Sequence, residues 1–199
     1  MEATKARYQR QIILPELGQE GQTQLSKAKV LVIGAGGLGC PVLQYLVVSG
    51  VGHIGIADDD VVQLSNLNRQ ILFSPQDVGL YKVDVAKEKL IVLNESVSIH
   101  FWRKRWSTID CINYFKDYDI IVDATDNFAS RYLINDACVL LDKPLVFGAV
   151  SRFEGQLAVF NWGTKTKSVN YRDVFPAPPQ SDEVLNCAEA GVLGVLPGI

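Results

Sequence analysis

Cysteine is scarce in this sequence: four residues, at 40, 111, 138 and 187, with no CxxC among them. That scatter excludes a zinc ribbon and a thioredoxin-type motif, and it suits a reduced compartment. Histidine is scarcer. His53 and His100 are the two, both in or beside predicted strands, and neither is placed for catalysis. An excess of positive charge is missing as well. The chain has 19 basic and 22 acidic residues, net −3, which argues against a dedicated nucleic-acid binder. Residues 1–10 are polar and hold no apolar signal core, so export is not expected and the cytoplasm is the expected location. Internal repeats are absent, and 48% hydrophobic with 21% charged residues is ordinary globular usage.

Charge is also absent from one long stretch. Residues 30–57 are 28 positions without Lys, Arg, Asp or Glu, enough to cross a membrane by length. Seven of the 28 are glycine, and Pro41 and His53 interrupt the run. The glycines cluster at a turn between β-branched segments. That pattern points to a buried strand–helix–strand unit instead of a membrane span.

What is present is alternation. Strands are predicted over 29–33, 53–57, 97–101, 119–122, 145–150 and 156–160. Helices are predicted over 40–49, 81–94 and 128–141, after one or two short helices in 7–28. Val83, Ala86, Leu90 and Leu93 share one face of the 81–94 helix. The expected class is α/β, a doubly wound, mainly parallel, Rossmann-like sheet. Residues 1–28 form its N-terminal helices and 29–162 its core. Residues 163–186, with Pro176, Pro178 and Pro179, read as a long exposed loop. The apolar 191–199 segment reads as the start of a helix in a C-terminal part, 187–199, that is cut short.

Such sheets bind ligands beyond the carboxyl ends of their strands. Polar clusters sit at those ends, at 34–39, 58–60 and 123–127. Gly34-Ala35-Gly36-Gly37-Leu38-Gly39 fits G-x-G-x-x-G between a strand and a helix. Glycine permits the tight turn and lets a phosphate reach the free N–H groups of the helix. Asp58, 19 residues past Gly39, ends the next strand, where a carboxylate accepts from a ribose hydroxyl. The pair indicates an adenine nucleotide and does not separate NAD from ATP. Trp102-Arg103-Lys104-Arg105-Trp106 reads as a strand edge with alternating exposed charges and two packed indoles. A nucleic-acid patch or a docking surface for an acidic partner is the other reading. Cys40, Cys111 and Cys138 read as core residues.

Further motifs occupy the same neighbourhood: Arg7-Tyr8-x-Arg10-Gln11, Ser65-Asn66-Leu67-Asn68-Arg69-Gln70, Gly79-Leu80-Tyr81-Lys82, Asp123-Ala124-Thr125-Asp126-Asn127 and Cys187-Ala188-Glu189-Ala190-Gly191-Val192. With them the sequence resembles the ThiF/MoeB/HesA family, relatives of the ubiquitin-activating enzymes, over nearly its whole length. The likeness is nearest to the MoeB-type adenylyltransferases.

That resemblance implies ATP and Mg²⁺ as cofactors and a small ubiquitin-like sulfur carrier as partner. The carrier's C-terminal Gly-Gly carboxylate would be adenylated, in molybdopterin, thiamine or another thiolation pathway. Gly34, Gly36, Gly37, Gly39, Asp58, Ser65, Asn66, Gln70 and Asn127 would contact the nucleotide. Arg69 and Lys82 would neutralise the phosphates, and Asp126 would serve magnesium. Arg10 would reach into a neighbouring subunit's site, which implies a homodimer. A rhodanese-like protein or a cysteine desulfurase would donate sulfur. Cys187 would either form a covalent link to the carrier or be a small residue at a helix start. The positions of a family CxxC hold Asn170 and Asp173, so no zinc site is expected. Taken singly, Arg69 and Lys82 are surface charges, Arg10 a solvated helix residue and Asp126 a helix N-cap. Asp59 and Asp60 read as loop and capping residues, and Arg131 as a bridge to Asp126 or Asn135. The alternatives are a tRNA-modifying dehydratase of the same superfamily and an NAD-dependent oxidoreductase.

Overall fold

The computed structural model describes residues 6–163, 168–179 and 191–199. Six strands form one sheet: β1 (Lys29–Ile33), β2 (His53–Ala57), β3 (Ser98–Trp102), β4 (Ile120–Asp123), β5 (Leu145–Ser151) and β6 (Glu154–Phe160). Their order is β3-β2-β1-β4-β5-β6, parallel except for the β5–β6 hairpin. The chain winds outward from β1 to β3, then returns to the other side of β1 with β4. The split between β1 and β4 is therefore the switch point at which such sheets open a crevice.

The helices include α1 (Gln9–Ile12), α2 (Gly18–Leu25), α3 (Gly39–Ser49), α4 (Lys82–Leu93), α5 (Thr108–Tyr114), α6 (Phe128–Leu141) and α7 (Tyr171–Val174). They cover two faces. Val30 and Val32 of β1 point into one layer with Leu43, Val47, Val83 and Leu90 of α3 and α4. Leu31 and Ile33 point into the other with Phe115, Ile134 and Cys138. A strand covered on both faces needs apolar residues at every covered position, which explains the VLVI run after the exposed Lys29. The uncharged 30–57 run is β1, α3 and β2. Among the described residues no helix is long and apolar enough to cross a membrane.

Several expectations need correction. Leu93 does not join the buried face of Val83, Ala86 and Leu90; it is exposed at the last turn of α4. Helix α5 escaped the sequence reading, although Ser107 and Asp110 form a capping box at its start. The 163–186 loop is not exposed throughout. In its described part Asn170 caps α7, and Tyr171 is 1% exposed, packed against Tyr132, Phe147, Phe160 and Phe175. The 191–199 segment holds no α-helix. Gly191 sits at φ 76°, and the only helical turn is a 3₁₀ turn at Leu196–Gly198. A Cβ on Gly194 would lie 2.4 Å from the Asn68 carbonyl oxygen, so the segment is pressed flat onto that loop.

The basic run differs too. Trp102 and Trp106 pack edge to face at 5.2 Å, as expected of the indoles. Arg103, Lys104 and Arg105, however, follow β3 in a loop and do not alternate along a strand. Each has an acidic partner: Asp84, Asp110 and Asp59 respectively. A patch already neutralised this way offers little to a polyanion.

Tyr171 is the anchor of the loop segment, so Tyr171→Ala should cost about 3–5 kcal/mol. Urea unfolding followed by circular dichroism checks this, and a loss below about 1 kcal/mol would mean the loop is not part of the core.

Candidate active site

One cavity lies across the carboxyl ends of β1, β2 and β4. Its wall includes Gly34, Gly36, Gly37, Asp58, Arg69, Gln70, Lys82 and Asp126. These come from five separate stretches of sequence, brought together by the strand order.

The glycine turn forms the floor. Gly34 takes φ 100°, and a Cβ there would meet the Ala124 carbonyl oxygen at 2.6 Å. Gly39 begins α3 so close to the strand that a Cβ would sit 2.0 Å from the Gly34 oxygen. Asp58 ties the turn to β2. Its Oδ2 accepts from the Ala35 N–H at 2.7 Å and its Oδ1 from the Asp60 N–H at 2.8 Å. Burial pushes the Asp58 carboxyl up, and Lys82 and the two N–H groups pull it back.

Lys82 is delivered by local pairing. Val61 and Tyr81 form an isolated antiparallel bridge, and the Lys82 N–H donates to the Asp60 carbonyl at 3.0 Å. The Lys82 side chain is 5% exposed and its Nζ meets Asp60 Oδ2 at 2.7 Å. Asp60 thus holds a buried cation at the cavity wall. Arg69 follows the Leu64–Asn66 turn and donates to the Ser65 carbonyl and to Asn68 Oδ1, both at 3.1 Å. Its alkyl stem lies over Gly37, 3.4 Å from where a Cβ would be. Gln70 is 3% exposed, with Oε1 buried and lacking a hydrogen-bond partner among the described residues.

The turn after β4 completes the wall. Asp123 Oδ1 accepts from the Thr125 N–H at 2.9 Å and from its hydroxyl at 2.6 Å. Arg131 Nη2 donates to the Thr125 carbonyl at 3.4 Å. The Arg131 guanidinium lies over Phe128 at 5.1 Å and Phe147 at 5.5 Å, so it bridges neither to Asp126 nor to Asn135. Asp123 is 1% exposed, and burial pushes its carboxyl up to about 6. A native carboxyl that holds its proton this tightly loses stability as pH rises from about 4 to about 6.

Asp126 is exposed on the cavity wall, and no hydrogen bond or ion pair engages its carboxylate among the described residues. It is not the N-cap of α6; Asn127 is, accepting from the Ser130 N–H at 2.9 Å. Asp58, Asp59 and Asp60 also bring carboxylate oxygens within 4.8 Å of one another. Those oxygens face N–H groups, Lys82 and Arg105, whereas Asp126 presents a free hard donor of the kind Mg²⁺ takes alongside phosphate.

The remaining candidates fall elsewhere. Ser65 and Asn66 do not line the cavity: the Ser65 carbonyl orients Arg69, and Asn66 Oδ1 accepts from the Gln63 N–H. Asn127 does line it, with its carboxamide oxygen engaged in capping. Arg10 is exposed on α1, away from the cavity of its own chain. Cys187 lies outside the described residues. Asn170 and Asp173 spend their side chains on capping α7. Sequence reasoning missed Asp60 as the partner of Lys82, and Lys104, Arg105 and Trp106 as part of the rim. The basic, aromatic composition of 102–106 was a signal; its position in a loop was not.

Burial pushes the Cys40 and Cys111 thiols up to about 12, and raises Cys138 further. Thiols raised this far stay protonated and unreactive at neutral pH. All three should resist iodoacetamide at pH 8 in the folded protein and label after denaturation, as read by peptide mass spectrometry.

The comparisons with known proteins agree with this geometry. Residues 8–199 match the ThiF family model. The sulfur carrier protein adenylyltransferase of Thermus thermophilus is 51% identical over 195 residues, 97% of this chain and 72% of that protein. The adenylyltransferase and sulfurtransferase MOCS3 of Culex quinquefasciatus is 50% identical over 98% of this chain, which spans only 44% of it. The crystal structure of E. coli MccB with AMPCPP and MccA matches with a TM-score of 0.67 and 30% identity, covering 73% of this chain and 45% of that one. A glycine turn, an acidic strand end and a buried lysine at one switch point, with a family match over nearly the full length, lead to one conclusion: the chain belongs to the ThiF family.

Proposed function

We propose that this chain adenylates the C-terminal glycine carboxylate of a small ubiquitin-like sulfur carrier, using ATP and Mg²⁺. The observation that carries the reading is the convergence of the glycine turn, Asp58, Arg69, Lys82 and Asp126 on one cavity. A carboxylate oxygen attacks the α-phosphorus, the bond to the bridging oxygen of the β-phosphate breaks, and pyrophosphate leaves with that oxygen. Two anions must approach, so the barrier is largely electrostatic. Lys82, already desolvated, and Arg69, over the glycine turn, hold positive charge where the phosphates would lie. Asp58 accepts from the ribose, and the open N–H groups near Gly36 and Gly37 face the phosphates. Magnesium held through Asp126 supplies charge neutralisation and in-line orientation of the phosphate chain.

The homodimer belongs to the same proposal. Arg10 is exposed beside Ile13 and Leu14, themselves 60% and 52% exposed, a surface suited to a second copy. Arg10 then completes the partner's site. The sulfur that follows adenylation comes from a rhodanese-like or desulfurase donor, with Cys187 available for a covalent step. The molybdopterin route is the favoured pathway and the cytoplasm its setting.

Carrier-dependent exchange of labelled pyrophosphate into ATP tests the reaction. Lys82→Ala and Arg69→Ala should each lower the exchange rate about 10²–10³-fold. Exchange that needs no carrier, or that survives both substitutions, would remove the proposal. Arg10→Ala and Lys82→Ala protomers, each inactive alone, should regain about a quarter of wild-type activity when mixed as equal, randomly paired dimers. No recovery after subunit exchange would place Arg10 outside the partner's site.

A further inference from the structure

Asp123 and Arg131 are buried charged residues with no part in the chemistry just described. Both hydrogen-bond to one residue, Thr125. Asp123 Oδ1 takes both the N–H and the hydroxyl of Thr125, at 2.9 and 2.6 Å, while Arg131 takes its carbonyl at 3.4 Å. Every polar group of Thr125 is thereby engaged. The next residue is Asp126, exposed on the cavity wall, with no hydrogen bond or ion pair on its carboxylate among the described residues. The Arg131 guanidinium also lies over the Phe128 and Phe147 rings, and Asp123 is held in the sheet by its pairing with Ile33 and Phe147.

We infer that Asp123 and Arg131 are positioning residues that clamp Thr125 and so aim Asp126 at the magnesium-bound phosphates of the nucleotide. The cost of the device is visible. Asp123 Oδ2 and Arg131 Nε are buried without a hydrogen-bond partner among the described residues, a penalty that packing alone would have avoided. A strand end that must hold a loop in one geometry gains from a rigid acceptor.

The inference rests on the nucleotide reading of the cavity but not on the identity of the acyl acceptor. Its test is calorimetric titration of the whole chain with a non-hydrolysable ATP analogue, with and without Mg²⁺. Asp123→Ala should cut the Mg²⁺-dependent gain in affinity at least about tenfold, while Mg²⁺-free affinity stays within about threefold of wild type. Asp123→Asn keeps the Oδ1 acceptor and should stay within about threefold in both titrations. Thr125→Val removes only the hydroxyl at nearly constant shape. It serves if Asp123→Ala does not fold, and should lose the Mg²⁺-dependent gain in the same direction. Equal losses with and without Mg²⁺, or a wild-type Mg²⁺ response in both Asp123→Ala and Thr125→Val, would overturn the clamp. Wild-type protein that binds no nucleotide would overturn the site reading and the clamp with it. Intact binding without carrier-dependent exchange would overturn only the acceptor assignment.

Discussion

The passage of Gly39 beneath the Gly34 carbonyl is the constraint on which the site depends. With a Cβ at Gly39 only 2.0 Å from that oxygen, no other residue could start α3 where it does. Because α3 begins there, the turn stays short, with the Gly34 N–H on the Ala57 carbonyl and the Ala35 N–H on Asp58. Gly34, pressed against the Ala124 carbonyl, fixes the same turn against β4. One backbone junction therefore sets the distance between the phosphate floor and the Asp126 turn.

Around this floor the chain arranges charges that oppose one another. Lys82 is buried yet bound to a largely exposed Asp60, so the cation is held in place without being locked away from an incoming phosphate. Arg105 and Asp59 pair loosely at 3.7 Å on the rim, where solvent screening leaves such a pair little energy. Asp123 and Arg131 are buried and, among the described residues, leave polar atoms unmatched. Protein stability is given up at these points, and what is gained is position. That is the expected signature of a site whose work is electrostatic preorganisation.

Much of the fold was legible because parallel sheets leave strong marks. β1 and β2 are apolar without alternation, and α6 was bounded by its own sequence from Phe128 to Leu141. The glycine turn and Asp58 were legible for the same reason: their spacing is dictated by a strand, a helix and a strand. Failures came where local rules were overruled by contacts between distant segments. One difference is local: Asn127, not Asp126, is the N-cap, its oxygen accepting from the Ser130 N–H. Residues 191–199 looked like a helix start, but Gly191, Gly194 and Pro197 fold them against Asn68 and Gly37. Tyr171 stood in a proline-rich stretch that read as solvent loop, and an aromatic pocket from β5, β6 and α6 claimed it.

The sequence by itself determined the order of the six strands and of α3, α4 and α6 between them, the phosphate-binding turn and the residue types for nucleotide chemistry. Each of these follows from short-range periodicity and from what glycine and carboxylate can do at a strand end. Only the tertiary structure decided which charges meet. Lys82 and Asp60 are 22 residues apart, and Arg105 and Asp59 follow different strands. Such pairings depend on the order β3-β2-β1-β4 and on the burial that order creates. A linear sequence holds the partners, but the low-dielectric space in which they act exists only once the sheet has assembled.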